Sequence, residues 1–275
     1  MSGGQSSFYW PMQLAPEPQR SAMFAIYAWC RYLDDIIDGT LPDDAKASAI
    51  SLWRDYFSDT HHPADMDPES AMVAATLSAA MAAHNLPPRL FLRMLDGLEM
   101  DLAGEMRAPP LAVLESYAHA VASVPGELCL HVLGWRGETA AEFARALGEA
   151  VQYTNILRDV EEDAEQGRLY IPREALESAG IVAQDPDIVL TDARFANAWL
   201  ALALMAEAKF HLAEVLLPNG AARQHIRPAL AMMAIYRALW KQLRRRGWKP
   251  GAPKVSLPKW RAILIALRVA IFGNP

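Results

Sequence analysis

The sequence is poor in cysteine, in long apolar runs and in the glycine patterns that hold nucleotides. Only Cys30 and Cys129 occur in 275 residues, so no disulfide framework is expected and a reducing, cytoplasmic setting is. No run of about 18 apolar residues exists, which excludes an ordinary transmembrane helix. The first residues lack a basic stretch followed by an apolar one, so no signal peptide is expected. Neither a Gly-x-Gly-x-x-Gly after a strand nor a P-loop is present, which removes both usual nucleotide fingerprints. Seven histidines show no His-x-x-x-His or Glu-x-x-His spacing, against a di-iron bundle of the carboxylate–histidine type. Strand-like alternation is nearly missing.

Acidic residues are missing from one region altogether. From Lys241 to Pro275 there are nine Lys or Arg and no Asp or Glu, so with a net charge of −6 the rest of the chain stands at −15. A basic end on an acidic body fits a peripheral contact with anionic lipid at an inner membrane face; a solvated basic tail is the plain alternative. Nucleic acid is not expected, because no binding motif accompanies the charge.

What remains is helical and apolar. At 52% hydrophobic residues, the chain can bury a sizeable core. Alanine- and leucine-rich segments, at roughly 19–38, 43–58, 69–84, 88–105, 111–134, 138–165, 191–216, 221–247 and 257–271, lie between proline and glycine clusters that end helices. The expectation is an all-α bundle forming one domain over residues 1–275.

Two aspartate stretches interrupt this apolar pattern: Asp34-Asp35-Ile36-Ile37-Asp38 and Asp159-Val160-Glu161-Glu162-Asp163. Each puts two carboxylates four residues apart, on one helix face and one turn apart. Like charges so placed repel, and doing it twice calls for a cation. Oxygen ligands without Cys or His point to Mg²⁺, which binds through a few carboxylates plus substrate phosphates. Arg31 and Tyr27 precede the first pair on roughly its face. Gln152, Asn155 and Arg158 precede the second, and Arg168 and Tyr170 follow it. Arginine forks match phosphate oxygens, so these are parts for holding a diphosphate. An apolar cavity beneath would suit a molecule with an anionic head and a greasy tail.

Four stretches, Gln5–Tyr9 (QSSFY), Ala25–Gly39 (AIYAWCRYLDDIIDG), Gln152–Asp163 (QYTNILRDVEED) and Gly167–Pro172 (GRLYIP), strongly resemble the squalene/phytoene synthase family. The likeness runs from about Ser6 to about Arg268. It implies an isoprenoid synthase fold around a central hydrophobic cavity and head-to-head condensation of two prenyl diphosphates. Carried over by position, Asp34, Asp38, Asp159 and Asp163, with Asn155, are metal ligands, and Asp35 is second in rank. Tyr27, Arg31, Gln152, Asn155, Arg158, Arg168 and Tyr170 are substrate contacts. Ser7 and Phe8 match a stretch that closes over the substrate. Tyr117 lies near the reacting carbons in this comparison, with Tyr236 in a late helix, and Arg31 and Arg158 serve the departing diphosphate.

Within the family the sequence looks most like bacterial hopanoid-pathway presqualene diphosphate synthases, implying two farnesyl diphosphates and Mg²⁺, with NADPH not expected to be needed. Phytoene, dehydrosqualene and complete squalene synthases stay open as alternatives, the last using NADPH. A non-catalytic membrane-associated assembly factor is the alternative of another class. One departure bears on the product: relatives usually read Val-Ala-Ser/Gly-x-Val-Gly where this chain has Val121–Gly126 (VASVPG). Pro125 should kink its helix.

Overall fold

Proline punctuation translates directly into helix boundaries. In the computed structural model, which describes residues 8–59 and 66–273, Asp67 caps α4 (Pro68–His84) by accepting from the backbone N–H groups of Glu69 and Ser70. Pro68 takes the first turn, where a missing N–H costs nothing. Asn85 closes that helix in the left-handed region at φ 48°, a conformation asparagine tolerates. Before it come α1 (Tyr9–Met12), α2 (Gln19–Ile37) and α3 (Asp43–Phe57); after it come α5 (Pro88–Leu102) and α6 (Leu111–Ala118). Among the described residues the only strand-like pairing is an isolated bridge between Arg107 and Leu169.

The segment expected as one helix over 111–134 is broken in three. A π turn, His119–Ser123, separates α6 from α7 (Val124–Val132). Pro125 has no N–H to give to the preceding turn, and the wider π turn absorbs the mismatch, its Val124 N–H reaching His119 O. Next runs α8 (Glu138–Glu165), whose bounds match the expected 138–165. Then follow α9 (Arg173–Ser178), α10 (Pro186–Thr191), α11 (Phe195–Val215), α12 (Ala221–His225), α13 (Arg227–Arg246) and α14 (Lys259–Phe272). The helix expected over 221–247 divides at Ile226, just before Pro228. None of α1, α9 and α10 was expected, all three being shorter than the helical period can reveal.

Two apolar clusters hold the helices. One gathers α2 to α5 around Trp29, Trp53, Phe57 and Phe91; Phe57 and Phe91 stack at 4.7 Å with Trp29 edge-on to both. Each such ring contributes roughly 1.5–3 kcal/mol by burial. The second gathers α6, α8 to α11, α13 and α14, with α11 packed along α8. Helix α7 joins them: Val124, Leu128 and Val132 face the first cluster and Leu130 the second. No described helix is long and apolar enough to cross a membrane.

Candidate active site

Helices α2 and α8 bring both aspartate stretches to one cavity of about 450 Å³. Asp34, Asp38, Asp159 and Asp163 all line it, together with Tyr27, Arg31, Gln152, Asn155, Arg158, Arg168 and Tyr170. Its body is apolar, with Ile26, Leu98, Leu130, Phe143, Leu147 and Val151 among the walls. The two ends are tied across 130 residues by Arg168, which donates to Asp38 at 3.1 Å. At the N-terminal side Phe8 sits between Tyr27 and Tyr236, 6.0 Å from each ring. Tyr236 thus backs the lining as part of this aromatic closure. Ser7 lies outside the described residues.

The carboxylates at the mouth are electrostatically unbalanced. Burial, reinforced by Asp38, pushes Asp34 up to about 6. Burial and the neighbouring Asp159 push Asp163 up to about 8. Burial also works upward on Asp159, but the Arg158 fork and Lys254 outweigh it and hold that carboxyl below its ordinary value. Arg158 donates twice, Nε to Oδ1 at 2.7 Å and Nη2 to Oδ2 at 2.5 Å.

These donors fit a divalent cation shared with a phosphate group. Asn155 Oδ1 is buried without a hydrogen-bond partner, a costly state that a cation would relieve. Asp34 and Asp163 hold protons more tightly than free carboxyls, first because burial disfavours the charged form and then because another carboxylate lies beside each. Among the described residues no three His, Cys, Asp or Glu side chains form a metal cluster by themselves. The donors at the mouth are carboxylate and amide oxygens, the kind of ligand a hard divalent cation takes. Asp35 does not join them. Its carboxylate is exposed, outside the cavity lining, and ion-paired with Arg31 at 2.6 Å. Arginine and aspartate four apart on an exposed helix face meet each other first.

Two functional residues escape sequence reasoning. Asp101, in α5, accepts from the hydroxyls of both Tyr117 and Tyr170 at 2.7 Å, and the two rings stack at 5.3 Å. Burial raises the pKa of Asp101 and of both tyrosines. Lys254 is the other. Its loop, between α13 and α14, lies over the second aspartate stretch, with Nζ 2.7 Å from Asp159 Oδ1 and paired also with Glu162. Gly251 N–H donates to Glu161 at 2.6 Å. Part of the basic C-terminal end is therefore matched to acids of the same chain. The only sequence signal for Lys254 is a place among the cations of the basic end, in a Pro/Gly-rich turn that also holds Lys249. Cys30 and Cys129 also line the cavity, as free thiols raised by burial.

Similarity to known proteins agrees with this geometry. A presqualene diphosphate synthase of Sinorhizobium fredii is 36% identical over 266 residues, covering 97% of this chain and 93% of that protein. One from Rhodopseudomonas palustris is 35% identical over the same shares. A dehydrosqualene synthase crystal structure superposes with a TM-score of 0.78 at 25% identity, covering 98% of this chain and 92% of its own. The squalene/phytoene synthase family model matches residues 1–261. With the all-α fold and the paired aspartates at one cavity, the chain belongs to the squalene/phytoene synthase family of prenyltransferases.

Proposed function

We propose that this chain joins two farnesyl diphosphates head to head into presqualene diphosphate, with Mg²⁺ as its metal. The observation that carries the reading is one cavity combining part-buried carboxylates, two of them with raised pKa, and arginines at its mouth with an apolar body. Asp34, Asp38, Asn155, Asp159 and Asp163 would hold Mg²⁺, which when bound neutralises the diphosphate and makes it a better leaving group. Arg31, Arg158 and Arg168 offer forks to the diphosphate oxygens.

As the C1–O bond of one substrate breaks, the apolar walls exclude water that would quench the allylic cation. The double bond of the second substrate attacks C1, and loss of one proton closes the cyclopropane. Tyr117 and Tyr170 stand with Asp101 behind them, so a proton taken at either phenol has a carboxylate in reach. A peripheral membrane contact of the basic C-terminal end fits the lipid character of substrate and product.

The discriminating experiment incubates the purified chain and Mg²⁺ with farnesyl or geranylgeranyl diphosphate, with and without NADPH, and identifies products by mass. Presqualene diphosphate from farnesyl diphosphate without NADPH is expected. Phytoene from the longer substrate, or dehydrosqualene, would move the chain to the carotenoid branch. Squalene formed only with NADPH would make it a complete squalene synthase, and no turnover would favour a non-catalytic assembly role.

A further inference from the structure

Helix α14 buries one face and leaves the opposite one uncovered. Ala262, Ala266 and Val269 are buried and pack with α13 and α1. At 100° per residue, Trp260, Leu264, Leu267 and Ile271 fall in a single stripe on the other side. These four are 62%, 55%, 50% and 70% exposed, and Phe272 beyond them is 69% exposed. With Phe272 they make up five of the twelve exposed large apolar side chains among the described residues, which marks a patch rather than scattered surface apolars. Lys259, Arg261 and Arg268 flank the stripe, all exposed.

We propose that this outer face of α14 docks on an anionic phospholipid bilayer and presents the α1 side of the cavity to it. The charge decides the occupant. No Asp or Glu occurs from residue 241 to the end, so a two-fold contact between copies would bring like charges together around the stripe. An anionic bilayer accepts the apolar stripe into its acyl boundary while the flanking cations meet phosphate groups. Trp260, at the start of the helix, suits the interfacial zone. The placement also serves the cavity. Helix α1 packs on α14, and its Pro11 and Met12 line the cavity wall. Helix α13, which also packs on α14, lines the same cavity with Pro228 and Met232, so α1 and α13 stand between α14 and the cavity.

The test is co-sedimentation of the full chain with vesicles of equimolar phosphatidylglycerol and phosphatidylcholine, against phosphatidylcholine alone. Two variants, Arg261→Gln/Arg268→Gln and Leu264→Gln/Leu267→Gln, are compared with wild type, which is also measured at high salt. Light scattering follows the oligomeric state, and turnover of detergent-solubilised substrate checks that the site is intact. Binding to the anionic vesicles is expected, about thirtyfold weaker in the arginine variant, weakened by salt and lost in the leucine variant, with turnover unchanged. Two results overturn the proposal: no more binding to anionic than to neutral vesicles, or a leucine variant that binds like wild type. Dimerisation abolished by the leucine variant, without vesicle binding, assigns the face to a second copy and also overturns it. Vesicle binding is read without catalysis, so a failure of the proposed reaction leaves this result intact.

Discussion

The Lys254 ammonium lies 2.7 Å from Asp159 Oδ1, so an internal cation faces the carboxylate expected to hold metal. Burial would otherwise raise Asp159; Arg158 and Lys254 together keep it ionised. Lys254 is half-exposed, and such a pair is worth at most about 1 kcal/mol. Lys254→Gln should therefore tighten Mg²⁺ binding to the substrate-free chain by up to about fivefold, measured by titration calorimetry. It should also speed amide exchange in the loop around Gly251, whose N–H is held by Glu161. Unchanged or weaker metal binding would show that the lysine does not compete for this carboxylate.

Asp34 and Asp159 stand on opposite helices of the cavity mouth. Alanine at either position should cut Mg²⁺-dependent turnover by about a hundred- to a thousandfold, the range for losing one electrostatic stabiliser. Far-ultraviolet circular dichroism should remain that of a helical protein, because neither carboxylate belongs to an apolar cluster. Near-normal turnover in either variant would remove the metal assignment.

Asp163 makes stability depend on pH in a stated direction. Its folded-state pKa is raised from 3.8 to about 8, first by burial and then by Asp159. Across that window the folded chain keeps a proton that the unfolded chain has lost, so stability falls as pH rises. Asp34, raised to about 6, adds to the lower part. The metal-free chain should melt at progressively lower temperature from pH 5 to pH 8, and Mg²⁺ should restore most of the loss by binding the ionised form. Asp163→Asn should flatten the upper half of the profile. A flat wild-type profile would show that these carboxylates are better solvated than the geometry implies.

Legibility in the sequence followed the range of the physical signal. The aspartates of α2 and α8 could be read because helical spacing alone places each pair on one face, and α8 could be bounded because Gly137 and Gly167 flank it. Their convergence on one cavity is tertiary, and only the family resemblance anticipated it. Asp101 stayed hidden because it is one of three carboxylates in an amphipathic helix; its meaning lies in two hydroxyls, 16 and 69 residues away. Asp35 stood second in rank behind Asp34 and Asp38 since adjacency says nothing about direction, and a 100° step per residue turns it outward toward Arg31. Pro125 signalled a disturbance but not its form, because the π turn depends on what packs behind it.

That packing supplies the last prediction. A β-carbon on Gly148 of α8 would lie 2.3 Å from Ser123 Cα and 2.5 Å from Ser123 N, and one on Gly97 of α5 would meet Val121 Cγ1 at 2.6 Å and Ala120 Cβ at 2.8 Å. The π turn is thus held between two helices that can approach only through glycine. The atoms met at Gly148 are mostly backbone, so the helix must shift to admit a methyl group. Gly148→Ala should cost about 3 kcal/mol, the upper range for overpacking, or a fall in melting temperature of roughly 5–10 °C. Gly97→Ala meets one rotatable methyl, Val121 Cγ1, but Ala120 Cβ moves only with its backbone, so this variant should be destabilising as well. Val121, Ala122 and Pro125 line the cavity, so a displaced turn also changes the space available to the condensing chains. The Gly148 variant should therefore alter the ratio of products under conditions where it remains folded, as mass analysis would register. An unchanged product ratio at reduced stability would confine the π turn to a packing role.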